Sequence, residues 1–195
     1  MLTLCVDTSF NYLSVCLIDE DKIIAESNEL CPKKQSEYVF EAINNVFKEA
    51  NKKPTDLKKV VVTKGPGSYT GIRIGMTICK TICSLNDIDL YVVSTLGLYA
   101  NNLENTLVIL DARSKRAYNA VYNRSESIID DNVKLISDIN TNNYNLIGDL
   151  HLIGLEDKYY KISECFLNTK VLWEKVDNVD YLTPSYLKSN EDYLL

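Results

Sequence analysis

Residues 64–75 read Lys64-Gly65-Pro66-Gly67-Ser68-Tyr69-Thr70-Gly71-Ile72-Arg73-Ile74-Gly75. The apolar run before them, residues 59–63, predicts a buried parallel strand. The run after them, residues 69–85, is apolar nearly all round and predicts a helix that is buried on two sides. On spacing alone the loop is interpreted as a tight strand–helix turn, because it lacks the Gly-Lys-Ser/Thr of a P-loop.

The residues before this segment predict three short strands and a helix. Residues 2–8, 12–18 and 23–27 are rich in β-formers and are separated by turn residues. In residues 36–50, apolar side chains recur at steps of three and four, which predicts an amphipathic helix with Ser36 as its N-cap. The chain therefore begins with a β-meander that leads into a helix.

The residues after residue 85 repeat part of this pattern. Strands are predicted at 90–93, 107–110 and 117–122, and Ser94 is expected to start a short helix. Asp7 and Asp111 each end a strand, and a turn and a second strand follow both, so the two halves are interpreted as two related lobes. Between about residues 126 and 170 the pattern is weak, and only strands near 146–147 and 151–153 are predicted.

Composition excludes several functional classes. The chain has 195 residues and a formal net charge of -6, which argues against nucleic-acid binding by this chain alone. No apolar run reaches the ~18 residues of a membrane span, and the N-terminus has no signal-peptide pattern, so a cytoplasmic protein with free thiols is expected. The single histidine, His151, argues against a metal site or a Ser-His-Asp set.

One candidate for chemistry lies at the end of the first predicted strand. Asp7, Thr8 and Ser9 are interpreted either as a phosphate loop, working or vestigial, or as an Asx-turn that satisfies local backbone N–H groups; the second interpretation is favoured. Asp7, Asp111 and Asp149 are also conceivable as a carboxylate cluster, but nothing in the sequence shows that they converge.

Segment 64–75 resembles the signature of the TsaB (YeaZ) family. Further resemblances are Leu4 to Ser9, Gln35-Ser36-Glu37 with Gln in place of the family's His, Val93 to Leu96, Asp111-Ala112-Arg113 with Tyr118, and Pro184, Tyr186, Leu187 and Lys188. The resemblance is weak between about residues 126 and 180.

This resemblance implies an α/β fold of the actin/Hsp70/sugar-kinase type, with two ribonuclease-H-like lobes. The first lobe is expected over residues 1–103, with the tail 182–195 returning to it, and a reduced second lobe over 104–181. It also implies a cytoplasmic, non-catalytic subunit that binds and activates TsaD for N6-threonylcarbamoyladenosine synthesis in tRNA. TsaE, an ATPase, is expected in the larger complex, and tRNA is contacted only through that complex.

The expected interface consists of the two predicted helices, on which Gly71 and Gly75 would let a partner approach closely and Gly75→Arg would prevent pairing while the monomer stays mostly folded. In the alternative interpretation, the apolar residues there are covered by the chain's own helices. The predicted interface residues are Val39, Ile43, Tyr69, Gly71, Ile72, Ile74, Gly75, Ile78, Cys79 and Ile82. The remaining signature residues are Gly65, Pro66, Gly67, Ser68, Thr70 and Arg73.

No catalytic residue, metal or cofactor is expected on this chain, and ATP and a metal are expected on the partner subunits. Two alternatives stay open. The isolated chain forms a homodimer through the same helices, or the chain is an ATP-binding kinase or phosphatase of the same fold, with Asp7, Thr8 and Ser9 on the phosphates.

Overall fold

Strands of the chain form two mixed β-sheets. The computed structural model describes residues 1–31 and 34–187. The strands within these residues are β1 (Leu2–Asp7), β2 (Tyr12–Asp19), β3 (Lys22–Leu30), β4 (Lys59–Thr63), β5 (Asp89–Val93), β6 (Thr106–Arg113), β7 (Arg116–Asn123), β8 (Glu126–Leu135), β9 (Asn145–Gly148) and β10 (Glu174–Lys175).

The strand orders of the two sheets confirm the predicted two-lobed α/β fold. The first sheet has the order β10-β5-β4-β1-β2-β3, and the second has the order β8-β7-β6-β9. In both, an antiparallel meander is followed by a strand parallel to the first one, β4 beside β1 and β9 beside β6. Within the described residues the second sheet has no counterpart of β5, so this lobe is the smaller one.

Two long helices cover the outer face of the first sheet. They are α1 (Gln35–Glu49) and α2 (Tyr69–Asn86). Apolar side chains from both helices, such as Val39, Val46 and Cys79, pack against inward-facing residues of β1, β2, β4 and β5 in one core cluster. Burying each large aliphatic side chain contributes about 1.5–3 kcal/mol, so this contact holds the helices on the sheet.

The two lobes share a second core between their sheets. Cys5 and Val61 of the first sheet join Leu110 and Ala120 of the second sheet in this cluster. The short helices α3 (Thr95–Tyr99) and α4 (Ile162–Asn168) fill the space between them, and Phe166 of α4 is fully buried there. The sheets are therefore joined by a continuous apolar layer.

The C-terminal part of the chain lies against the first lobe. Strand β10 pairs with β5, and α4 packs on β1, β2 and β3. Further along, Ser185 N donates to Lys64 O at 2.7 Å, and Lys80 Nζ donates to the carbonyls of Asp180 and Leu182 at 3.0 Å each. The chain thus reaches the first sheet before residue 182, the return point expected from the sequence, and residues 188–195 lie outside the described residues.

Two sequence-based predictions of local structure are wrong, and two elements were missed. Ser36 is not an N-cap, because α1 begins at Gln35 and its N-cap residue, Lys34, makes no side-chain capping bond. Residues 151–153 are a 3-10 turn rather than a strand. Strand β8 and helix α4 were not predicted.

Within the described residues, no helix combines the length and hydropathy needed to span a membrane.

Candidate functional site

The turn after β1 is a closed hydrogen-bonded unit. Asp7 is fully buried, and its Oδ1 accepts from Ser9 N at 2.9 Å, Ser9 Oγ at 2.6 Å and Thr63 Oγ1 at 2.8 Å. Its Oδ2 accepts from the Tyr99 hydroxyl at 3.1 Å. Burial raises the pKa of Asp7, and the bonds from Ser9, Thr63 and Tyr99 oppose that rise. This is the arrangement of an Asx-turn, in which local donors take up the carboxylate.

Helix α2 closes the same turn from outside. Thr8 and Ser9 are fully buried, Thr8 Oγ1 donates to Gly71 O at 2.7 Å, and Ser68 N donates to Ser9 O at 2.7 Å. A Cβ added at Gly71 would lie 2.1 Å from Thr8 O, and one at Gly75 would lie 2.4 Å from Thr8 Oγ1. The backbone of α2 therefore packs directly against this turn.

The predicted interface residues divide into two groups. Six of them face the chain's own sheet and turn, so their placement on a partner surface is corrected: Val39, Ile43, Gly71, Ile72, Gly75 and Cys79 are buried. The small residues in this row admit the β1–β2 turn, not a partner helix. Of the other four, Tyr69 is exposed, and Ile74, Ile78 and Ile82 are half-buried at the outer side of the core.

In the second lobe, two of the three suspected aspartates are joined by a hydrogen bond, from the backbone of one to the carboxylate of the other. Asp149 follows β9, Asp111 lies near the end of β6, and Asp149 Oδ2 accepts from Asp111 N at 2.6 Å. The strands β6 and β9 are parallel neighbours, so their carboxyl ends meet at one edge of the sheet. Asp7 is not among them; it connects to Asp149 only through two tyrosines.

Those two tyrosines belong to an aromatic layer between the lobes. Tyr99 donates to Asp7, Tyr159 donates to Asp149 Oδ1, and the two rings meet edge to face with centroids 6.1 Å apart. The ring of Phe10 packs on the rings of Tyr99 and Tyr118, with a centroid distance of 6.3 Å to each. An adjoining crevice of about 380 Å³ opens between the lobes. Its second-lobe wall is the β6–β7 turn. In this turn Arg113, Ser114 and Lys115 have left-handed backbone conformations with positive φ, and no glycine is present.

His151 lies in a group with two carboxylates. The side-chain atoms of Asp149, His151 and Asp157 that could ligate a metal ion all lie within 4.8 Å of one another. Asp157 Oδ1 accepts from His151 N at 2.9 Å and contacts His151 Nδ1 at 2.8 Å. These contacts raise the pKa of His151. His151 and Asp157 are both exposed, and an ion pair between them explains why they lie so close together.

The outer surface of α1 and α2 carries a groove of about 520 Å³. It is lined by Ser36, Phe40, Tyr69, Thr70, Arg73, Ile74, Thr77 and Ile78, hereafter the α1/α2 groove. The side chain of Phe40 is 61% exposed and that of Tyr69 is 55% exposed. Large apolar side chains held in water on rigid helices are a feature of interaction surfaces.

One end of the α1/α2 groove is ordered by aromatic contacts. The ring of Tyr69 stacks on that of Tyr186, with centroids 5.1 Å apart and planes inclined by 23°. Arg73 Nη1 donates to the Tyr69 hydroxyl at 2.9 Å, and the guanidinium carbon lies 5.2 Å from the Tyr69 ring centroid. The C-terminal tail thereby contributes a side chain to the rim of this groove.

Sequence reasoning missed Phe40 and Tyr186 as parts of this surface. Phe40 lies seven positions before the buried Phe47, so the helical period places it at the edge of the apolar stripe and leaves core and surface equally open to it. Tyr186 was noted only as part of the family's closing motif in a tail that returns to the first lobe; 117 positions separate it from Tyr69, and the fold brings the two rings together.

Comparison with known proteins places the chain in one family. The family model described as "TsaD: tRNA N6-adenosine threonylcarbamoyltransferase" matches residues 23–149, more than half of the chain. The chain is 36% identical over 134 residues to the Bacillus subtilis "tRNA threonylcarbamoyladenosine biosynthesis protein TsaB", which covers 67% of this chain and 58% of the relative. The Escherichia coli protein of the same name is 29% identical over 133 residues, which cover 65% of this chain and 57% of that relative. The chain thus matches less than two thirds of the length of either relative.

A comparison of structures agrees over nearly the whole chain. A crystal structure titled "YeaZ from Pseudomonas aeruginosa" superimposes with a TM-score of 0.82 at 18% identity, covering 95% of this chain and 99% of that one. At this identity the likeness concerns the fold. A Mycoplasma pneumoniae relative described as uncharacterized is 26% identical over 94% of this chain and 93% of its own length. On these matches, the chain belongs to the TsaB (YeaZ) family of TsaD-like proteins.

Proposed function

We propose that this chain is a non-catalytic subunit that binds a TsaD-type transferase and supports N6-threonylcarbamoyladenosine synthesis in tRNA. The observation that carries the proposal is the α1/α2 groove, an apolar surface on two rigid helices. Its exposed aromatic residues, Phe40 and Tyr69, are of the type that anchors protein interfaces. The names of the curated relatives supply the pathway.

The closed turn after β1 favours a binding role over a nucleotide-dependent reaction. Asp7, Thr8 and Ser9 have their polar groups taken up inside the chain, and α2 lies over them. A phosphate at these groups would have to displace the hydrogen bonds that they make within the chain. The ATP and the metal of the pathway are accordingly assigned to partner subunits, the ATPase TsaE among them.

The charge of the chain supports contact with tRNA only through the complex. The net charge is -6, whereas proteins that hold nucleic acid by themselves gain most of their affinity by neutralising phosphates. In this proposal the transferase and its other partners hold the tRNA.

A test of the proposal compares complex formation by the wild-type chain and by Phe40→Asp. Size-exclusion chromatography with light scattering is run on the chain mixed with the TsaD-type protein of the same organism. We expect a 1:1 complex with the wild type and a dissociation constant raised at least about 30-fold for Phe40→Asp, because a carboxylate would be buried in an apolar interface. Leu155→Asp, at a residue 52% exposed on the second lobe, is the matched control and should bind normally.

The two alternatives predict other results. A chain that forms a homodimer and ignores the transferase would assign the α1/α2 groove to self-association. Calorimetric titration with Mg-ATP tests the kinase or phosphatase alternative, and saturable heat from the isolated chain would favour it over the subunit role.

A further inference from the structure

Among the described residues that line the α1/α2 groove, one has a charged side chain. Of the residues that line it, Arg73 alone is ionised at neutral pH, and the others are apolar, aromatic or hydroxylated. The ion pairs formed among the described residues all lie elsewhere, so Arg73 is in contact with no carboxylate of the described chain. A partner that fills this groove therefore also covers a positive charge that no carboxylate among residues 1–31 and 34–187 pairs with.

The guanidinium of Arg73 is held in place before any partner arrives. Its Nη1 donates to the Tyr69 hydroxyl, and hydrogen bonding to Tyr186 and Tyr69 raises the pKa of Arg73. The stacking of Tyr69 on Tyr186 orients the hydroxyl that receives this bond. Both contacts are to neutral groups, so the donors of the guanidinium that remain are free for an anion.

We propose that Arg73 sets the specificity of the groove by receiving a carboxylate carried on the apolar helix face of the TsaD-type partner. The proposal rests on the function proposed above. Covering a charged group at an apolar interface is costly unless an opposite charge comes with the partner. A planar carboxylate matches the two-pronged arrangement of guanidinium donors, and a helix bearing it would place its apolar residues against Phe40, Ile74 and Ile78.

The apolar lining favours a protein over a nucleic acid as the bearer of the anion. Ile74 and Ile78 line the groove beside Phe40, and a phosphate backbone would leave these side chains in contact with water. Nucleic-acid sites instead present several cations along a groove. Because Arg73 is the single cation that the described part of the chain contributes to the lining, one carboxylate on a helix is the complementary group.

The test measures binding of the full chain to the TsaD-type protein of the same organism by calorimetry at low and moderate salt. We expect Arg73→Glu to raise the dissociation constant at least about 30-fold and Arg73→Lys to raise it less, because lysine keeps the charge without the paired donors. The wild type should lose affinity with added salt, and Arg73→Lys should lose it similarly. Lys48→Glu makes the same change in net charge at an exposed position of α1 outside the groove and should bind like the wild type.

Each outcome has a separate meaning. If the wild type binds and Arg73→Glu binds equally well, the inference is wrong while the proposed function stands. If the wild type does not bind at all, the proposed function fails and the inference fails with it. If Arg73→Glu changes only self-association of the chain, the carboxylate belongs to a second copy and the inference is overturned. Unchanged thermal unfolding of both Arg73 variants establishes that they are folded.

Discussion

Glycine at position 71 is required by distance rather than by backbone conformation. A methyl group there would lie 2.1 Å from the carbonyl oxygen of Thr8, which belongs to the backbone of a fully buried turn and cannot move aside cheaply. Alanine is the better helix former by about 1 kcal/mol, so the two effects oppose each other. The steric effect is expected to win, because overpacking of a rigid site costs about 1–3 kcal/mol beyond any gain in propensity.

Gly71→Ala should therefore lower the free energy of unfolding by about 1–3 kcal/mol. Urea denaturation followed by circular dichroism measures the change. Thr77→Ala, at an exposed position of the same helix, is the control and should be neutral or slightly stabilising. Equal stability of Gly71→Ala and the wild type would mean that the turn is not closed as described. By the same argument, Gly75→Arg is now expected to destabilise the monomer.

The His151–Asp157 pair makes stability depend on pH. Hydrogen bonding to Asp157 raises the pKa of His151 above its unfolded value of about 6.5. The folded state then binds the proton more tightly than the unfolded state, so this contribution is fully present below about pH 6.5 and is lost as pH rises through the raised pKa. The pKa of Asp157 is lowered by its bonds to His151, although partial burial opposes the shift, so its contribution is lost in acid.

His151→Gln should thus be less stable than the wild type at pH 5.5 and closer to it at pH 8.5. Urea denaturation of both proteins at the two pH values checks this. The His151–Asp157 pair is largely exposed, so the difference in the free energy of unfolding between the two proteins is expected to be small and to shrink with added salt. A difference between the proteins that grows towards pH 8.5 would contradict the assigned direction.

At the scale of elements, regular hydrophobic patterns were predictable and weak ones were not. Strand β4 and helix α2 were predicted to within a residue, because a continuous apolar run and a helix that is apolar on two sides have strong local signals. Strand β8 was missed because it lies at the edge of its sheet and its residues are mostly exposed, so no alternation marks it. Helix α4 has only seven residues and is held by contacts with the first lobe.

The candidate surface was predicted only in outline. The two helices were identified, but the apolar stripe of α1 and the glycine row of α2 were assigned to a partner although they face the sheet. An apolar stripe shows which residues lie together, but it does not say whether the chain itself or another molecule covers them. That distinction needed the position of the β1–β2 turn beneath α2, which is set by contacts between residues more than sixty positions apart.

At the scale of the whole molecule, the core between the sheets couples the lobes. Phe166 of α4 is fully buried in a cluster to which both sheets contribute. Tyr99 and Tyr159 add polar links that end on Asp7 in one lobe and Asp149 in the other. Unfolding of one lobe would expose this layer, so the lobes should unfold together.

Phe166→Ala should lower the free energy of unfolding by about 3–5 kcal/mol while the transition stays single. Trp173, the only tryptophan, packs against the same cluster, and its fluorescence should change together with the far-ultraviolet circular dichroism. Two separated transitions, one seen by each probe, would show instead that the lobes are independent.

The packing of α2 on the β1–β2 turn also affects the speed of any encounter on the other side of that helix. Because Gly71 and Gly75 leave no room between the helix and Thr8, α2 cannot move closer to the turn, and Arg73, Ile74 and Ile78 lie on the other side of this closely packed helix. A surface of this kind needs no rearrangement before contact. Association should follow single-exponential kinetics, with an observed rate constant that rises linearly with partner concentration. Differences in affinity among variants of the α1/α2 groove should lie mainly in the dissociation rate constant.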